Sequence, residues 1–308
     1  DDLRHTSYRG VVGVKGELPW SKNWNYDAFM QYGKVVYQET YKNDFSITRA
    51  ARAMNVVTDP ATGQPACQSK VDGTDPNCVP YNIWSLGGVN NAALAYLQTP
   101  GFQKGYTSQS VAGASVSADL GAYGWKFPMA KNGVAFAFGL ERRTEKLNLE
   151  TDTAFSTGDL FGQGGPTIGV AGQTTSNEYF LEARAPLIEG RPMAHLLSVN
   201  ASYRNSDYST GIKTDTYGLG LEWAPIREAR FRGSYQRAAR AANVIELFRA
   251  QGIALYDNDA DPCAGATPTA TLAQCARTGV TAAQYGTILD SPAGQYNYLQ
   301  GGNPKLKA

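Results

Sequence analysis

The chain has 308 residues, with 28 basic and 27 acidic side chains and a formal net charge of +1. Such a balance gives no electrostatic footprint for a polyanion, so no nucleic-acid partner is expected. No run reaches the roughly 20 apolar residues of a membrane helix, whereas transmembrane strands of about 9 to 11 residues, apolar only at every second position, escape that test.

Period-two alternation of apolar and polar residues marks β-strands with one face of each kind. The first predicted strand covers about residues 8–18. The second runs over about 24–37, with Trp24, Tyr26, Ala28, Met30 and Tyr32 on one face and Asn25, Asp27, Gln31 and Gly33 on the other. Further strands are predicted over about 110–127, 134–147, 177–187, 197–209, 214–223 and 230–239, and a last one begins near Gly302. Several exceed the usual five or six residues of globular strands.

Connection lengths alternate along this series. Short ones lie at 19–23, 128–133, 188–196 and 224–229; long ones lie at about 44–109, 148–176 and 240–301, with 210–214 a short exception. In an up-and-down meander alternate connections share one end of the sheet. One end thus has tight turns and the other large loops, the asymmetry of outer-membrane barrels. Trp20, Trp24, Trp125 and Trp223, joined by Phe127, fall near the short turns, and only Trp84 lies in a long connection. Indole favours a membrane interface, because its ring is apolar and its N–H seeks a polar partner. A soluble core capped by turn-proximal tryptophans is the alternative.

The fold class expected is all-β: an antiparallel up-and-down transmembrane β-barrel, here a partial barrel of roughly nine or ten long strands. Asp119, Glu141, Arg143, Glu178, Glu182, Arg184, Glu222, Arg232 and Gln236 form a polar set opposite the apolar rows. In a barrel they line the lumen; on a soluble sheet they form a solvated face.

Four cysteines form two local pairs, Cys67 with Cys78 and Cys263 with Cys275, each within a Pro-, Asp-, Gly- and Thr-rich stretch. Neither pair has the spacing or histidine partners of a zinc site, so two loop disulfides and an oxidising compartment are expected, with free thiols the alternative. His5 and His195 stand far apart, and there is no phosphate-binding glycine loop, so no catalytic constellation, cofactor or metal site is expected. The chain reads as not an enzyme. Tyr81, Trp84, Tyr256 and Tyr285 are loop aromatics suited to stacking on a ligand ring, or to packing the loops together. Asp257, Asp259 and Asp261 alternate beside Cys263; contact with Ca²⁺ or with substrate is one reading and solvated loop acids the other. An EF-hand is excluded, since Pro262 stands where that loop needs Gly.

The residues 230–248, RFRGSYQRAARAANVIELF, and 301–308, GGNPKLKA, resemble the TonB-dependent outer-membrane receptor family. Arg230, Arg232, Gly233, Ser234, Tyr235, Arg237, Ala238, Arg240, Ala241, Asn243, Glu246, Leu247 and Phe248 match the first family motif. Gly302, Asn303, Pro304, Leu306 and Lys307 match the second. The stretches 24–33, 59–67, 138–145, 202–209 and 220–226 are similar to family segments in the same order. Ala242 departs from the family's proline, and the sequence stops at Ala308 where the motif continues.

The resemblance implies a middle portion of a barrel of about 22 strands. Residues 1–308 would be part of that barrel, with the N-terminal plug domain and the C-terminal strands not present in this chain. It also implies an active-transport receptor in the outer membrane of a Gram-negative bacterium, taking up a ferric siderophore, vitamin B12 or oligosaccharide. Its partners would be the TonB-ExbB-ExbD complex, acting through the plug, outer-membrane lipid and lipopolysaccharide, and the small-molecule ligand. Loops 52–105, 148–176 and 249–300 would hold the ligand contacts. A passive porin or structural outer-membrane barrel is the alternative, and a soluble secreted β-protein a third reading.

Overall fold

A computed structural model describes residues 1–21 and 23–307. In chain order the elements are β1 (Asp2–Glu17), β2 (Trp24–Phe45), α1 (Ile47–Met54), β3 (Val56–Thr58), β4 (Pro65–Cys67), α2 (Gln68–Val71), α3 (Asn91–Leu97) and β5 (Gln98–Asp119). They continue with β6 (Ala135–Thr151), α4 (Thr153–Thr157), β7 (Val170–Arg191), β8 (Ala194–Tyr208), β9 (Lys213–Ala224) and β10 (Phe231–Arg237). Last come α5 (Val244–Phe248), β11 (Gly252–Asp257), α6 (Leu272–Cys275) and β12 (Gln295–Gln300).

Eight long strands form one antiparallel sheet in the order β1-β2-β5-β6-β7-β8-β9-β10. The sheet is not closed: β1 and β10 are its edges. This corrects the expected count, because the remaining strands form two separate two-stranded sheets, β3-β4 and β11-β12, within the loops. The strand expected from Gly302 is also absent; β12 ends at Gln300, and its partner is the nearby β11 rather than the main sheet. Among the described residues no helix is long and apolar enough to cross a membrane.

Most strands of the main sheet are longer than their alternation suggested, although β5 ends at Asp119 rather than near 127 and β10 is shorter than expected. β2, β5 and β7 each have 22 residues. Their ends beyond the apolar rows read as loop because both faces there are polar. The backbone ladder nevertheless continues there on one side, β2 with β5 as far as Phe45 and Gln98, and β7 with β6 as far as Val170 and Leu149. In β7 the register shifts between Pro186 and Ile188, which accommodates a proline without an N–H inside a central strand. A second shift, between Tyr41 and Asp44, contains Asn43 at φ 61°, a left-handed conformation that asparagine tolerates. The connection expected at 188–196 shrinks to Pro192 and Met193, whereas the one expected at 128–133 lengthens to 120–134.

Side chains divide by parity into two faces across all eight strands. Cross-strand partners such as Phe231 with Trp223, Leu181 with Tyr203, Phe138 with Val116 and Met30 with Val12 lie on an apolar face. That face stands open, with Leu221 51% exposed and Tyr235 63% exposed. Trp20, Trp24, Trp125 and Trp223 all lie at the short-turn end, and Trp223 Nε1 donates to the Met193 carbonyl at 2.9 Å.

At the opposite end the chain between β2 and β5 makes a small independent core. Ala50, Ala53, Cys67, Cys78 and Leu97 are buried there, with Phe45, Tyr81 and Tyr96 against them. Ser46 caps α1 by accepting the Arg49 N–H at 3.1 Å, and Asn90 caps α3 by accepting from Ala93 at 2.8 Å. Cys67–Cys78 and Cys263–Cys275 are both disulfides. With a sequence separation of 11, the first restricts the unfolded loop by about 2 to 3 kcal/mol. Cys67→Ser with Cys78→Ser is therefore expected to raise protease cleavage within 68–90 by roughly 50-fold, while cleavage of the main sheet stays unchanged.

Candidate functional site

The polar face gathers its charges by register. Glu141 stands directly opposite Glu178, a like-charge pair that is unfavourable alone. Arginines resolve it: Arg143 Nη2 lies 2.9 Å from Glu141, and Arg204 Nε lies 3.3 Å from Glu178 while its Nη2 reaches Glu141 at 4.0 Å. The Glu178 side chain is only 7% exposed, so this compensation is obligatory. Nearer the short-turn end, Glu222 receives Arg184 at 3.1 Å, Arg230 at 3.1 Å and Arg232 at 3.5 Å. Arg184, Glu222 and Arg232 border a trough of about 820 Å³ that also meets Asn25, Asp119, Glu182 and Gln236.

A hydrogen-bonded relay crosses the first four strands. Arg9 donates to Gln31 at 2.7 Å, Gln31 to Gln109 at 3.4 Å, and Gln109 to Glu145 at 2.9 Å. Above it Tyr37 donates to Glu39 at 2.5 Å, and Gln103 also donates to Glu39. The polar face is thus cross-linked strand to strand.

The long-loop end folds over this face. Gly172 on β7 has no side chain because Phe248 and Val244 occupy the space; an added Cβ would lie 2.4 Å from Phe248 Cδ2. α5 therefore rests on the sheet, started by a capping box in which Asn243 accepts the Glu246 N–H and Glu246 accepts the Asn243 N–H. Arg240 pairs with the Glu246 carboxylate at 2.8 and 2.9 Å. That pairing and the Asn243 N–H hold the Glu246 carboxyl down at about 2. Beneath this segment lies a cavity of about 450 Å³ lined by His5, Tyr37, Leu147, Ile168, Ile245 and Arg249.

Two loops are fastened to each other by a single carboxylate. Asp159 accepts from Ser46 Oγ at 2.5 Å and from the Thr48 N–H at 2.8 Å, at the start of α1. Burial raises its pKa, but the hydrogen bonds from Ser46 and Thr48 outweigh burial and leave it below the ordinary 3.8. A lowered carboxyl pKa contributes stability that is complete above the unfolded value and lost as pH falls through the folded one. Hydrogen exchange at Ile47 and Thr48 is therefore expected to keep constant protection above about pH 5 and to lose it only below about pH 4. Asp159→Ala should give the acid-like loss of protection at pH 7, about 1 kcal/mol.

The residues expected to contact ligand do not converge. Tyr81 packs edge-on against Phe45 at 6.2 Å inside the loop core, and Tyr285 donates to the Ala270 carbonyl at 2.8 Å. Both hold loops together, the alternative reading of these aromatics. Trp84 is 88% exposed at a loop tip, beside Leu86. Tyr256 joins Tyr296 and Tyr298 on the β11-β12 hairpin, with centroids 6.0 and 5.8 Å away. Asp257 accepts from Gln295 at 3.0 Å and Asp261 accepts the Cys263 N–H at 2.8 Å, while Asp259 is exposed. Among the described residues no group of His, Cys, Asp or Glu is arranged to hold a metal.

Sequence reasoning missed Arg204, Asp159 and Phe155. Arg204 alternates correctly with Ser202 and Ser206, so parity alone would have found it. The other two act across loops, where no periodicity exists. No protein-family model matches the chain, and no curated protein or solved structure matches it.

Proposed function

We propose that this chain is wall and crown of an active-transport receptor of the outer membrane, with its apolar face against lipid and its polar face toward a lumen. The observation that supports this reading is the course of the apolar band. On the apolar face, the first polar residue met toward the long-loop end is Thr6 on β1, Lys34 on β2, Ser110 on β5 and Arg142 on β6. It is Asn177 on β7, Asn205 on β8, Asp215 on β9 and Arg237 on β10. Followed through the hydrogen-bond register, this boundary moves two residues toward the short-turn end at five of the seven strand pairs and holds level at the other two. It never reverses.

A level water surface crossing tilted strands produces such a staircase. With about 3.3 Å per residue and about 4.8 Å between strands, the average step corresponds to a tilt of about 45°, within the range for membrane barrels. The apolar row from Trp24 to Tyr32 then spans a height of about 20 Å, close to the apolar band of an outer-membrane wall. An open edge is not tolerated in lipid, so the reading requires further strands to pair with β1 and β10. The family motifs at 230–248 and 301–308 support the energy-coupled version, in which a plug lies in the lumen and TonB-ExbB-ExbD supplies the work.

Uptake measured in cells separates the two barrel readings. For the receptor, accumulation of a ferric siderophore, vitamin B12 or an oligosaccharide by the full-length protein stops when TonB is deleted or the proton-motive force is collapsed. Uptake that persists in both conditions identifies a passive porin.

A further inference from the structure

The polar residues that close the apolar band over β2, β5 and β6 carry charge of one sign. Register places Lys34, Ser108 and Lys146 side by side in one row of the apolar face. The row beneath holds Tyr32, Ser110 and Thr144, and the next holds Met30, Ala112 and Arg142. Across two strand spacings the lysine backbones stand about 10 Å apart, so both side chains can converge on one oxyanion above Ser108.

These cations lack acidic partners. Among the described residues no salt bridge reaches Lys34, Arg142 or Lys146. Lys34 lies 4.2 Å over the Tyr106 ring, and Arg142 donates to the neutral Asn177 side chain at 3.3 Å. Lys104, higher on the same face, is already matched by Glu150 at 3.3 Å. Three uncompensated positive charges thus stand where the apolar band gives way to polar surface.

Directly beneath them the apolar face has a cleft of about 590 Å³. Ala28, Ala112 and Ala114 are its shallow floor, Met30 and Leu140 rise on either side, and Arg142 stands at its head. On β9 the apolar band instead carries the large side chains Leu219, Leu221 and Trp223. The cations and the cleft are therefore continuous, one above the other.

We propose that this surface is a specific binding site for a lipid whose phosphate headgroup is net anionic, with no cationic group of its own to neutralise it. Lys34 and Lys146, with Ser108 between them and Arg142 below, hold the phosphate oxygens by charge-assisted hydrogen bonds, and an acyl chain runs down the alanine cleft. Free phosphate has the same headgroup chemistry but gains nothing from the cleft. The site rests on the membrane reading of the apolar face and adds a particular lipid class at a particular place on it.

The test uses the full-length receptor in detergent, with native mass spectrometry in the presence of dioleoyl phosphatidic acid, dioleoyl phosphatidylcholine or inorganic phosphate. Retention of phosphatidic acid is expected to exceed that of phosphatidylcholine by about tenfold or more. Lys34→Gln with Lys146→Gln brings the ratio close to one, and Lys34→Arg with Lys146→Arg preserves it. Ala112→Trp, which fills the cleft, weakens phosphatidic acid retention several-fold and leaves inorganic phosphate unaffected. Equal retention of both lipids, inorganic phosphate binding as tightly as phosphatidic acid, or a ratio untouched by the double glutamine variant overturns the site. A protein that stays monomeric in buffer without detergent defeats instead the membrane reading on which the site rests.

Discussion

Leu221→Arg is expected to lower folding stability in a bilayer by about 2 to 4 kcal/mol, the cost of a guanidinium at the lipid-facing midplane of a strand. Leu221 sits in the β9 apolar row, between Leu219 and Trp223, and its cross-strand neighbours are Val199 and Gly233. It is 51% exposed, so in water the same substitution would fall within the small range of ordinary surface changes. The environment alone decides between the two outcomes. Ser202→Arg, on the opposite face of the adjacent strand β8, is the control and should cost little in a water-filled lumen. The measurement is denaturant unfolding of the full-length protein in lipid vesicles. Equal stabilities for the two variants would exclude lipid from the apolar face.

Phe155→Ala is expected to cost about 3 to 4 kcal/mol locally, through lost transfer energy and the cavity left behind. Phe155 is 1% exposed and is the side chain by which the loop between β6 and β7 is seated on the sheet. It packs with Leu160 over Gly101 of β5, where an added Cβ would lie 2.6 Å from Leu160 Cδ1 and 2.8 Å from Phe155 Cε2. Its ring also lies 6.3 Å from that of Tyr41 on β2. Removing it frees 152–169 at both ends, because the Asp159 latch to α1 and the contact of Gly164 with Leu255 on β11 depend on where that loop rests. Amides throughout 153–167 should then exchange as a unit while the main sheet stays intact. Faster exchange confined to position 155 and its immediate neighbours would mean that the loops are held independently.

Local residue order made much of this architecture readable. Alternation located all eight strands of the main sheet, because side chains on a pleated strand switch faces at every residue whatever the strand packs against. The same parity placed Glu141, Glu178, Glu222 and Arg232 on one face, and the tight turns held Trp20, Trp125 and Trp223 at one end. The cysteine pairs were legible because each is close in sequence and isolated from other metal ligands. Strand ends were harder, since the backbone ladder of β2, β5 and β7 runs on where the side-chain pattern fades.

Local residue order thus accounts for the two-faced antiparallel strand series, its uneven ends and its paired cysteines, all set by interactions within a few residues or by strict periodicity. Long-range pairing set the rest. The tertiary structure showed that the main sheet has eight strands and stays open. It showed no strand from Gly302, pairing instead the preceding segment 295–300 with β11, and it put Tyr81 and Tyr285 to packing rather than to a common surface. It also revealed the staircase of the apolar band and placed Lys34, Arg142 and Lys146 on neighbouring strands of one face. These depend on cross-strand register, which pairs residues tens of positions apart and which local order alone does not encode.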